Sequence, residues 1–246
     1  VVSDIKEDTK ETITNTKYFL INTKKNLEIL LSKIKNKGYC AIDTETNSLN
    51  IEKAKLVGIS LCCEDDIAYY IPINHLDNKK SELIKDQLEQ EYVLKKIKII
   101  CEDSSILKIG QNIKFDIRVL AKYNVFLKSV SDTMLMSYSL DNGITKHNMD
   151  DLAFIHLQHN CIKFKDMVGS GKNEITFDYV DINKAVNYAA EDALITLKLH
   201  NFLSRRVVRE KTKFVYEEID LNLIQVLSSM ENNGIKINIK YLNKLG

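Results

Sequence analysis

An apolar segment that runs directly into two carboxylates is the feature that most constrains this chain. Residues 39–42 (Tyr-Cys-Ala-Ile) have the character of a buried strand, and Asp43, Thr44 and Glu45 follow without a break. Successive side chains of a strand point to opposite faces, so Asp43 and Glu45 share one face. Neighbouring carboxylates repel unless a cation lies between them, and Mg²⁺ favours carboxylate oxygens. The pair therefore predicts a divalent-metal site at the end of a core strand, although such a pair alone also fits a solvated strand end.

The remaining sequence is typical of a chain with strands early and helices late. Strands are predicted at 18–22, 39–43, 55–63, 67–73 and 107–110. Helices are predicted after a cap at Asn22 or Thr23 up to Gly38, near 81–101, at 112–123, and over most of the chain from Ser131 onward. The acidic turn at 64–66 favours a hairpin between the strands on either side. This order predicts an α/β fold with a mixed sheet flanked by helices.

The bulk properties exclude several classes of protein. The 246 residues suffice for one sizeable core, and the net charge of +1 leaves no global basic field, so any binding of nucleic acid must be local. No apolar run reaches the roughly 18 residues of a membrane span, and no signal peptide is visible, so the protein is expected to be neither membrane-bound nor secreted. The five cysteines form no CxxC motif, which indicates reduced and mostly buried thiols.

Two histidines could form part of a zinc site. His156 and His159 are three residues apart in a predicted helix. No cysteine or acid joins them at a spacing typical of metal ligands, so a solvated helix face is favoured for both.

Two further polar pairs follow the D-x-E pair along the chain. Asn112 and Asp116 are four residues apart at a predicted helix start, and Tyr188 and Asp192 are four apart within a strongly periodic helix. A spacing of four places each pair on one helix face. Taken singly, the first pair also fits a cap beside a surface acid, and the second fits a tyrosine at the edge of the core beside an exposed aspartate.

Taken together and in this order, the three pairs resemble the three exonuclease motifs of the DEDD nucleases, in the subclass with tyrosine in the third motif. Further stretches resemble, in sequence order, the Klenow-type proofreading domain of family A DNA polymerases: AIDTETNSL, LVGISL, YIPINH, LKIGQNIKFD, DTMLMSYSL, HNMDDLA, GSGKNEITF and YAAEDALITLKLH. The resemblance covers nearly everything from about residue 17, and residues 216–238 are similar to the segment that joins this domain to the polymerase.

This resemblance implies a ribonuclease H-like DEDD exonuclease fold with a mixed central sheet. The implied organisation is an N-terminal linker at 1–16, a 3′→5′ exonuclease domain at 17–205, and the start of a polymerase domain at 206–246. The polymerase catalytic motifs that normally follow are absent from the sequence, so we expect a fragment or an excised domain.

The resemblance also implies catalytic roles. The expected activity is a two-metal-ion removal of nucleoside monophosphates from the 3′ end of single-stranded or frayed DNA. Asp43 would bridge two Mg²⁺ or Mn²⁺ ions, Glu45 and Asp192 would complete one site, and Asp116 would serve the other. Tyr188 and Glu45 would orient the attacking water.

The same resemblance implies a set of substrate contacts. Leu49 is expected to wedge between the terminal bases and Phe164 to stack on a base, although ordinary packing also fits both. Gln111 and Asn112 are expected to bond the DNA backbone. The remaining expected substrate-binding residues are Thr46, Phe115, Lys146 and His147. Lys146 stands where relatives carry arginine and Phe115 where tyrosine is common, which predicts weaker contacts, and His147 also fits a capping role.

The expected partners are the 3′ end of single-stranded DNA and the polymerase domain of the same parent chain, with the protein otherwise monomeric. In relatives of this kind, a stripe of apolar residues on the tail helix packs on the larger polymerase domain. The corresponding residues here are Ile219, Leu223, Val226, Leu227 and Met230. The composition is typical of AT-biased coding, which favours an apicoplast polymerase of apicomplexan parasites, with an AT-rich bacterial polymerase I in the cytoplasm as the alternative. Two other functions stay open: an RNA exonuclease like ribonuclease D, and an inactive structural or DNA-binding module.

Overall fold

The structure is a computed structural model that describes residues 16–77, 81–144 and 146–245, except for the side chain of Lys172. The predicted linker at 1–16 lies, apart from Thr16, outside the described residues. The strands span Lys17–Leu20 (β1), Tyr39–Thr46 (β2), Leu56–Cys62 (β3), Ile67–Pro72 (β4), Leu107–Gly110 (β5) and Val130–Asp132 (β6). The helices span Lys24–Lys37 (α1), Gln90–Cys101 (α2), Lys114–Ala121 (α3), Thr133–Asp141 (α4), Met149–Leu152 (α5), Phe164–Val168 (α6), Ile182–Arg209 (α7), Leu221–Asn233 (α8) and Ile239–Leu245 (α9). Single turns of π-helix lie at Ala153–Leu157 and Val215–Asp220, and 3₁₀ turns at Gly171–Asn173 and Phe177–Tyr179.

One mixed sheet forms the centre of the fold, with the strands in the order β1-β4-β3-β2-β5-β6. β3 pairs antiparallel with both β2 and β4, so the predicted hairpin is confirmed. β5 pairs parallel with β2 and with β6. The predicted α/β class with a mixed sheet flanked by helices is therefore confirmed.

The two faces of the sheet are covered by different helices. On one face, the large aliphatic side chains of β2 and β3, such as Ile42 and Ile59, join the leucines and isoleucines of α1 and α2 in the main core. On the other face α7 packs closely, because the contact is made by small residues such as Ala41 on β2 and Ala193 on α7. Asp43 and Glu45 follow Ala41 at a spacing of two, so they point towards α7.

Local signals place the first helix correctly. The Thr23 hydroxyl accepts a hydrogen bond from the Asn26 N–H, and Gly38 ends α1 with a φ of +75°. Of the two candidate caps, Thr23 is the one used. Gly38 adopts a left-handed conformation that costs glycine little, and its N–H donates to the Ile34 carbonyl.

Three predicted boundaries were wrong. The helix expected near 81–101 begins only at Gln90, because Leu83 pairs with Leu76 in an isolated β-bridge and residues 81–89 form an irregular segment. The helix expected from Asn112 begins at Lys114, since Asn112 has a φ of +60°, which an α-helix does not accommodate. Residues 130–132 form the short strand β6 where mostly helical structure was predicted from Ser131.

The tail helix α8 folds back against α3. Ile224 and Ser228 are buried at this contact, and Glu231 forms ion pairs with Lys114 and Arg118 on α3. The predicted apolar stripe faces outward: Leu223, Val226 and Met230 are 42–61% exposed. Within the part of the chain that is described, no helix combines the length and the apolar character needed to cross a lipid bilayer.

Candidate active site

The two carboxylates of β2 lie where three elements of the fold meet. β2 and β5 are parallel, so their carboxyl ends reach the same edge of the sheet, and α3 starts shortly after β5. α7 crosses the face of the sheet on which Asp43 and Glu45 project. Asp116 on α3 and Asp192 on α7 are consequently brought to the end of β2, although Asp43 and Asp192 are 149 positions apart in the sequence.

Three of these carboxylates form a close group. Oxygen atoms of Asp43, Glu45 and Asp192 all lie within 4.8 Å of one another. Glu45 and Asp192 are buried, at 7% and 6% exposure, and Glu45 Oε1 is a buried oxygen with no hydrogen-bond partner. Buried acceptors without a donor are rare in folded proteins. The donor set and the unpaired oxygen both fit a divalent cation, and hard cations prefer such all-oxygen sites.

The electrostatics of this group also favour a bound cation. Burial raises the pKa of Asp43 to about 6. Burial, and then the charges of Asp43, Asp192 and Asp116, raise the pKa of Glu45 well above its ordinary value. These shifts arise because each charged carboxylate loses hydration and meets like charges. The positive charge of a cation would remove most of this cost.

Asp116 is fixed by the strand that carries the other acids. Thr44, between Asp43 and Glu45, donates to Asp116 Oδ1 from its backbone N–H at 2.8 Å and from its hydroxyl at 2.6 Å. Burial, and then the charge of Asp43, raise the pKa of Asp116 well above its ordinary value, while the hydrogen bonds from Thr44 oppose the shift. Asp116 thus belongs to the same electrostatic group as the other three acids.

Tyr188 stands one helical turn before Asp192 on α7, as the spacing predicts. Burial, and then the charge of Asp43, raise the pKa of Asp192 well above its ordinary value, and a hydrogen bond with the Tyr188 side chain opposes the shift. Burial and the neighbouring carboxylates also raise the pKa of the Tyr188 hydroxyl, which therefore stays protonated and can donate. The ring of Phe164 lies 6.0 Å from that of Tyr188 and 6.1 Å from that of Phe177, and Phe164 is 47% exposed.

A hydrogen-bonded network anchors several of the expected substrate-binding residues. Gln111 Nε2 donates to the His147 carbonyl at 2.8 Å, and the Gln111 carbonyl oxygen accepts from the Thr133 hydroxyl. His147 Nδ1 lies 2.8 Å from the Ser137 hydroxyl, and its ring packs on Tyr138 with the centroids 3.9 Å apart. His147 does not cap α5, because Asn148 holds that position.

The other expected substrate-binding residues lie around this network. Leu49 is 87% exposed in the turn after β2, and Asn112 and Lys146 are also exposed. Thr46, at the end of β2, donates to the Ser48 carbonyl at 3.0 Å. Phe115 is half-buried and packs against the main core.

One buried acid near the site was missed by the sequence analysis. Asp132 Oδ1 accepts from the N–H groups of Asn112, Met134 and Leu135 at 2.8–3.3 Å, and Oδ2 accepts from Ile113 N–H at 2.8 Å. Asp132 therefore ties the start of α3 to the start of α4. An aspartate directly before an apolar helical run is a typical N-cap signal, and it could have indicated this role.

The expectation of a solvated helix face for two histidines was wrong. His156 is buried, and its ring stacks on Phe202 with the centroids 4.9 Å apart. His159 lies beyond the end of the helical turn, and its Nε2 is 2.9 Å from Glu191 Oε1. The prediction for the cysteines is confirmed, since all five are free and buried.

Comparison with known proteins matches the part of the chain that carries these acids to a family of exonucleases. The DNA_pol_A_exo1 family model, described as 3'-5' exonuclease, matches residues 18–208. DNA polymerase I of Rhizobium leguminosarum is 38% identical over 241 residues, which cover 93% of this chain and 24% of that protein. The chain thus spans about a quarter of the length of this curated relative.

Two solved structures share the fold. The POL domain of Pol1 from M. smegmatis, in complex with DNA primer-template and dNTP, has a TM-score of 0.68 and 18% identity, covering 92% of this chain and 34% of that one. Brucella melitensis NrnC with bound Mg²⁺ has a TM-score of 0.64 and 21% identity, covering 91% of this chain and 98% of that one. These similarities confirm the ribonuclease H-like fold of DEDD exonucleases expected from the sequence.

Proposed function

Because the chain belongs to the 3'-5' exonuclease family of family A DNA polymerases, we propose that it removes nucleoside monophosphates from the 3′ end of single-stranded or frayed DNA. This activity would serve as the proofreading function of a replicative polymerase. The observation that carries the proposal is the convergence of Asp43, Glu45 and Asp192 within 4.8 Å, beside Asp116 and Tyr188. A nuclease needs such a group of acids because it must concentrate positive charge around a phosphate.

The four acids would hold two divalent cations, Mg²⁺ or Mn²⁺. When bound, the two cations would activate a water for in-line attack on the terminal phosphate and stabilise the departing 3′ oxygen. Asp43 lies centrally, since its charge acts on Glu45, Asp116 and Asp192 alike. This position supports the proposal that Asp43 would help to hold both cations, one together with Glu45 and Asp192 and the other together with Asp116.

The protein's own residues would orient the reaction. The hydroxyl of Tyr188 stays protonated and donates its single proton to Asp192. Once Asp192 binds a cation, that proton would turn from Asp192 to the attacking water. The Glu45 carboxylate has two oxygens, so one could bind a cation while the other accepts from the same water. These two contacts together would fix the direction of the water's lone pair.

Exposed apolar side chains would hold the splayed 3′ end. Stacking of a base on an aromatic ring contributes about 1–3 kcal/mol per base and tolerates any sequence. The half-exposed ring of Phe164 lies beside Tyr188 and is placed for such stacking, and Leu49 is exposed enough to enter between two bases. The proposed polar contacts to the DNA are Thr46, Gln111, Asn112, Lys146 and His147. The half-buried Phe115 is proposed as a further substrate contact.

The wider setting is also a proposal. We assign residues 17–205 to the exonuclease domain and residues 206–246 to the start of a polymerase domain. The outward-facing stripe of α8 would pack on the main body of that polymerase domain. The exonuclease family model, which matches residues 18–208, supports an exonuclease unit of about this extent. The monomeric state and the apicoplast setting remain predictions, and the relative named here comes from a bacterium.

A gel assay with a 5′-labelled single-stranded DNA tests the function. In Mg²⁺ or Mn²⁺ we expect a ladder of shortening products that EDTA abolishes. The double variant Asp43→Ala/Glu45→Ala should give no ladder, whereas Glu52→Ala/Glu174→Ala, which removes two exposed acids, should behave as wild type.

The same assay distinguishes the alternatives. A labelled RNA of identical sequence should be degraded much more slowly than the DNA, and the reverse preference would favour a ribonuclease D-like enzyme. Absence of any ladder from a folded sample, with every metal tried, would leave an inactive DNA-binding module.

A further inference from the structure

A short segment after α5 is held against α7 next to the proposed active site. Gln158, with a φ of +52°, ends the π-helical turn, and the His159 N–H donates to the Ala153 carbonyl at 3.2 Å. The Ile162 N–H then donates to Glu191 Oε2 on α7 at 2.6 Å. The segment is therefore tied to α7 by one carboxylate, and it leads directly into α6, which begins at Phe164.

Three potential metal ligands meet at this contact. A ring nitrogen of His159, the Cys161 sulfur and a Glu191 oxygen all lie within 4.8 Å of one another. Cys161 and Glu191 are buried, at 5% and 4% exposure, while the side chain of His159 is 21% exposed. An ion could thus reach the group from the side of His159.

We propose that His159, Cys161 and Glu191 form a binding site for Zn²⁺, separate from the all-carboxylate site, with water as the fourth ligand. Thiolate, imidazole and carboxylate together are the ligands that Zn²⁺ uses in proteins, whereas Mg²⁺ avoids sulfur and nitrogen. With bond lengths of about 2.0–2.3 Å, the ligand atoms around one Zn²⁺ lie roughly 3.3–3.8 Å apart. The three atoms need only small side-chain rotations to reach that geometry.

Contacts already present would support the ligands. Glu191 Oε2 is held by the Ile162 N–H, whereas Oε1 contacts His159 Nε2, at 2.9 Å. On binding, Oε1 and the His159 ring would exchange this contact for bonds to the ion. Such an orienting hydrogen bond on the second oxygen is usual at metal sites. Burial chiefly, and then the charges of Glu191 and Asp192, raise the pKa of the Cys161 thiol, so the metal-free thiol stays protonated. A bound cation would favour the thiolate. On binding, the thiol proton passes to solvent.

The site has a structural consequence that does not depend on nuclease activity. His159 and Cys161 lie in the segment, and Glu191 lies on α7, so the ion would cross-link the two. Because the segment ends at Phe164, the cross-link would fix the start of α6 beside Tyr188. Zn²⁺ would therefore order the wall of the cleft without taking part in the reaction.

Cobalt spectroscopy of the 246-residue chain tests the proposal, with Co²⁺ standing in for Zn²⁺. We expect one equivalent of Co²⁺ to produce an intense near-ultraviolet thiolate-to-cobalt charge-transfer band that Zn²⁺ then removes. The acids of the other site cannot give this band, because they supply no sulfur. The band should be absent in Cys161→Ser and strongly weakened in His159→Gln, and it should persist in Asp43→Asn.

Cys63→Ala provides the matched control, because it removes a buried thiol far from the segment. No band in the wild-type protein, or a band that survives in Cys161→Ser or disappears in Cys63→Ala, would overturn the proposal. If Cys161→Ser fails to fold by circular dichroism, the His159→Gln variant decides, since its thiol is intact and only the imidazole is lost. An undiminished band in that variant would also reject the site.

Discussion

Thr44 donates two hydrogen bonds to a single oxygen of Asp116, at 2.8 Å from its backbone N–H and at 2.6 Å from its hydroxyl. Neither bond uses Oδ2 of Asp116, which is left for a cation. The residue between the two carboxylates of β2 thus sets the orientation of a third carboxylate on α3. This relationship couples the strand to the helix at the point where the proposed metal ligands meet.

Replacing Thr44 with valine should weaken the proposed exonuclease. Thr44→Val removes the hydroxyl but keeps the backbone hydrogen bond, so Asp116 loses one of two restraints. Loss of an orienting partner typically lowers metal affinity or activity about 10–100-fold. We expect a slower rate on single-stranded DNA and a higher Mg²⁺ concentration for half-maximal rate.

Two variants control this experiment. Thr44→Ser retains both hydrogen bonds and should stay near the wild-type rate. Thr212→Val makes the same substitution where the buried hydroxyl has no hydrogen-bond partner, and should have no effect on activity. Equal activity of Thr44→Val and Thr44→Ser would show that the hydroxyl does not position Asp116.

The raised pKa values of the acids predict that the metal-free fold loses stability as the pH rises. The pKa of Asp43 rises from an ordinary value of 3.8 to about 6 in the folded state. As the pH rises from about 4 towards 6, the unfolded chain releases this proton first, so the free energy of unfolding falls, by about 2–3 kcal/mol in total. Buried His75 and His156, whose pKa values are lowered to about 4, act in the opposite sense over the same range.

Comparison with Asp43→Asn isolates the contribution of Asp43. In EDTA, the melting temperature of Asp43→Asn minus that of wild type should increase between pH 4.5 and pH 8, because the neutral amide never acquires the unfavourable charge. With Mg²⁺ present, the advantage of the variant should shrink or reverse, since the wild-type carboxylate then binds the ion. A difference that stays constant with pH would contradict the assigned shift.

Close packing next to Glu45 predicts that one methyl group added at Gly58 strongly lowers the stability of the fold. Gly58 pairs with Glu45 across β2 and β3, and a Cβ at Gly58 would lie 2.1 Å from the Tyr70 hydroxyl oxygen. Tyr70 is fully buried and hydrogen-bonds to His75 Nε2 at 2.7 Å, so it cannot move without losing that partner. Gly58→Ala should therefore destabilise the fold by about 1–3 kcal/mol or more, measured by chemical denaturation.

A double-mutant cycle identifies the cause. In a background of Tyr70→Leu, which removes the ring, adding Gly58→Ala should cost much less than in the wild type. Additive effects of the two substitutions would indicate that the alanine clashes elsewhere.

The exposure of Leu49 predicts that truncating its side chain weakens substrate binding without lowering the stability of the fold. Leu49 is 87% exposed, so Leu49→Ala should leave the melting temperature unchanged. If Leu49 enters between bases, the variant should bind single-stranded DNA several-fold more weakly in a fluorescence anisotropy titration with Ca²⁺ or EDTA. Val208→Ala, at a residue that is 63% exposed on the last turn of α7, is the matched control and should bind as wild type. Unchanged binding by Leu49→Ala would exclude the wedge.

Much of the fold was predictable because its signals are local. The apolar run at 39–42 marks β2, and the strand period of two places Asp43 and Glu45 on one face. The period of 3.6 identifies α7, with Tyr188 and Asp192 on one face. The segment at 81–89 was predicted as helix because its apolar residues have helical spacing. Its structure is instead decided by the pairing of Leu83 with Leu76, which no local pattern encodes.

The features that escaped prediction depend on contacts distant in sequence. β6 has three residues and exists because it pairs with β5, some twenty residues earlier in the chain. The group of His159, Cys161 and Glu191 was missed because Glu191 lies 32 residues beyond His159. Spacing rules detect ligands that share one element, and this group joins a loop to a helix.

The carboxylate of Asp132, which accepts N–H groups from the first turns of both α3 and α4, has a consequence for how freely the surrounding sequence can vary. Because the two helix starts are bonded to one buried acid, the position of Asp116 does not rest on the connection at 122–129 alone. That connection is itself constrained, since Val125 and Leu127 are buried in the main core. A substitution at position 132 would release two helix starts at once, so we expect this position to accept few other residues.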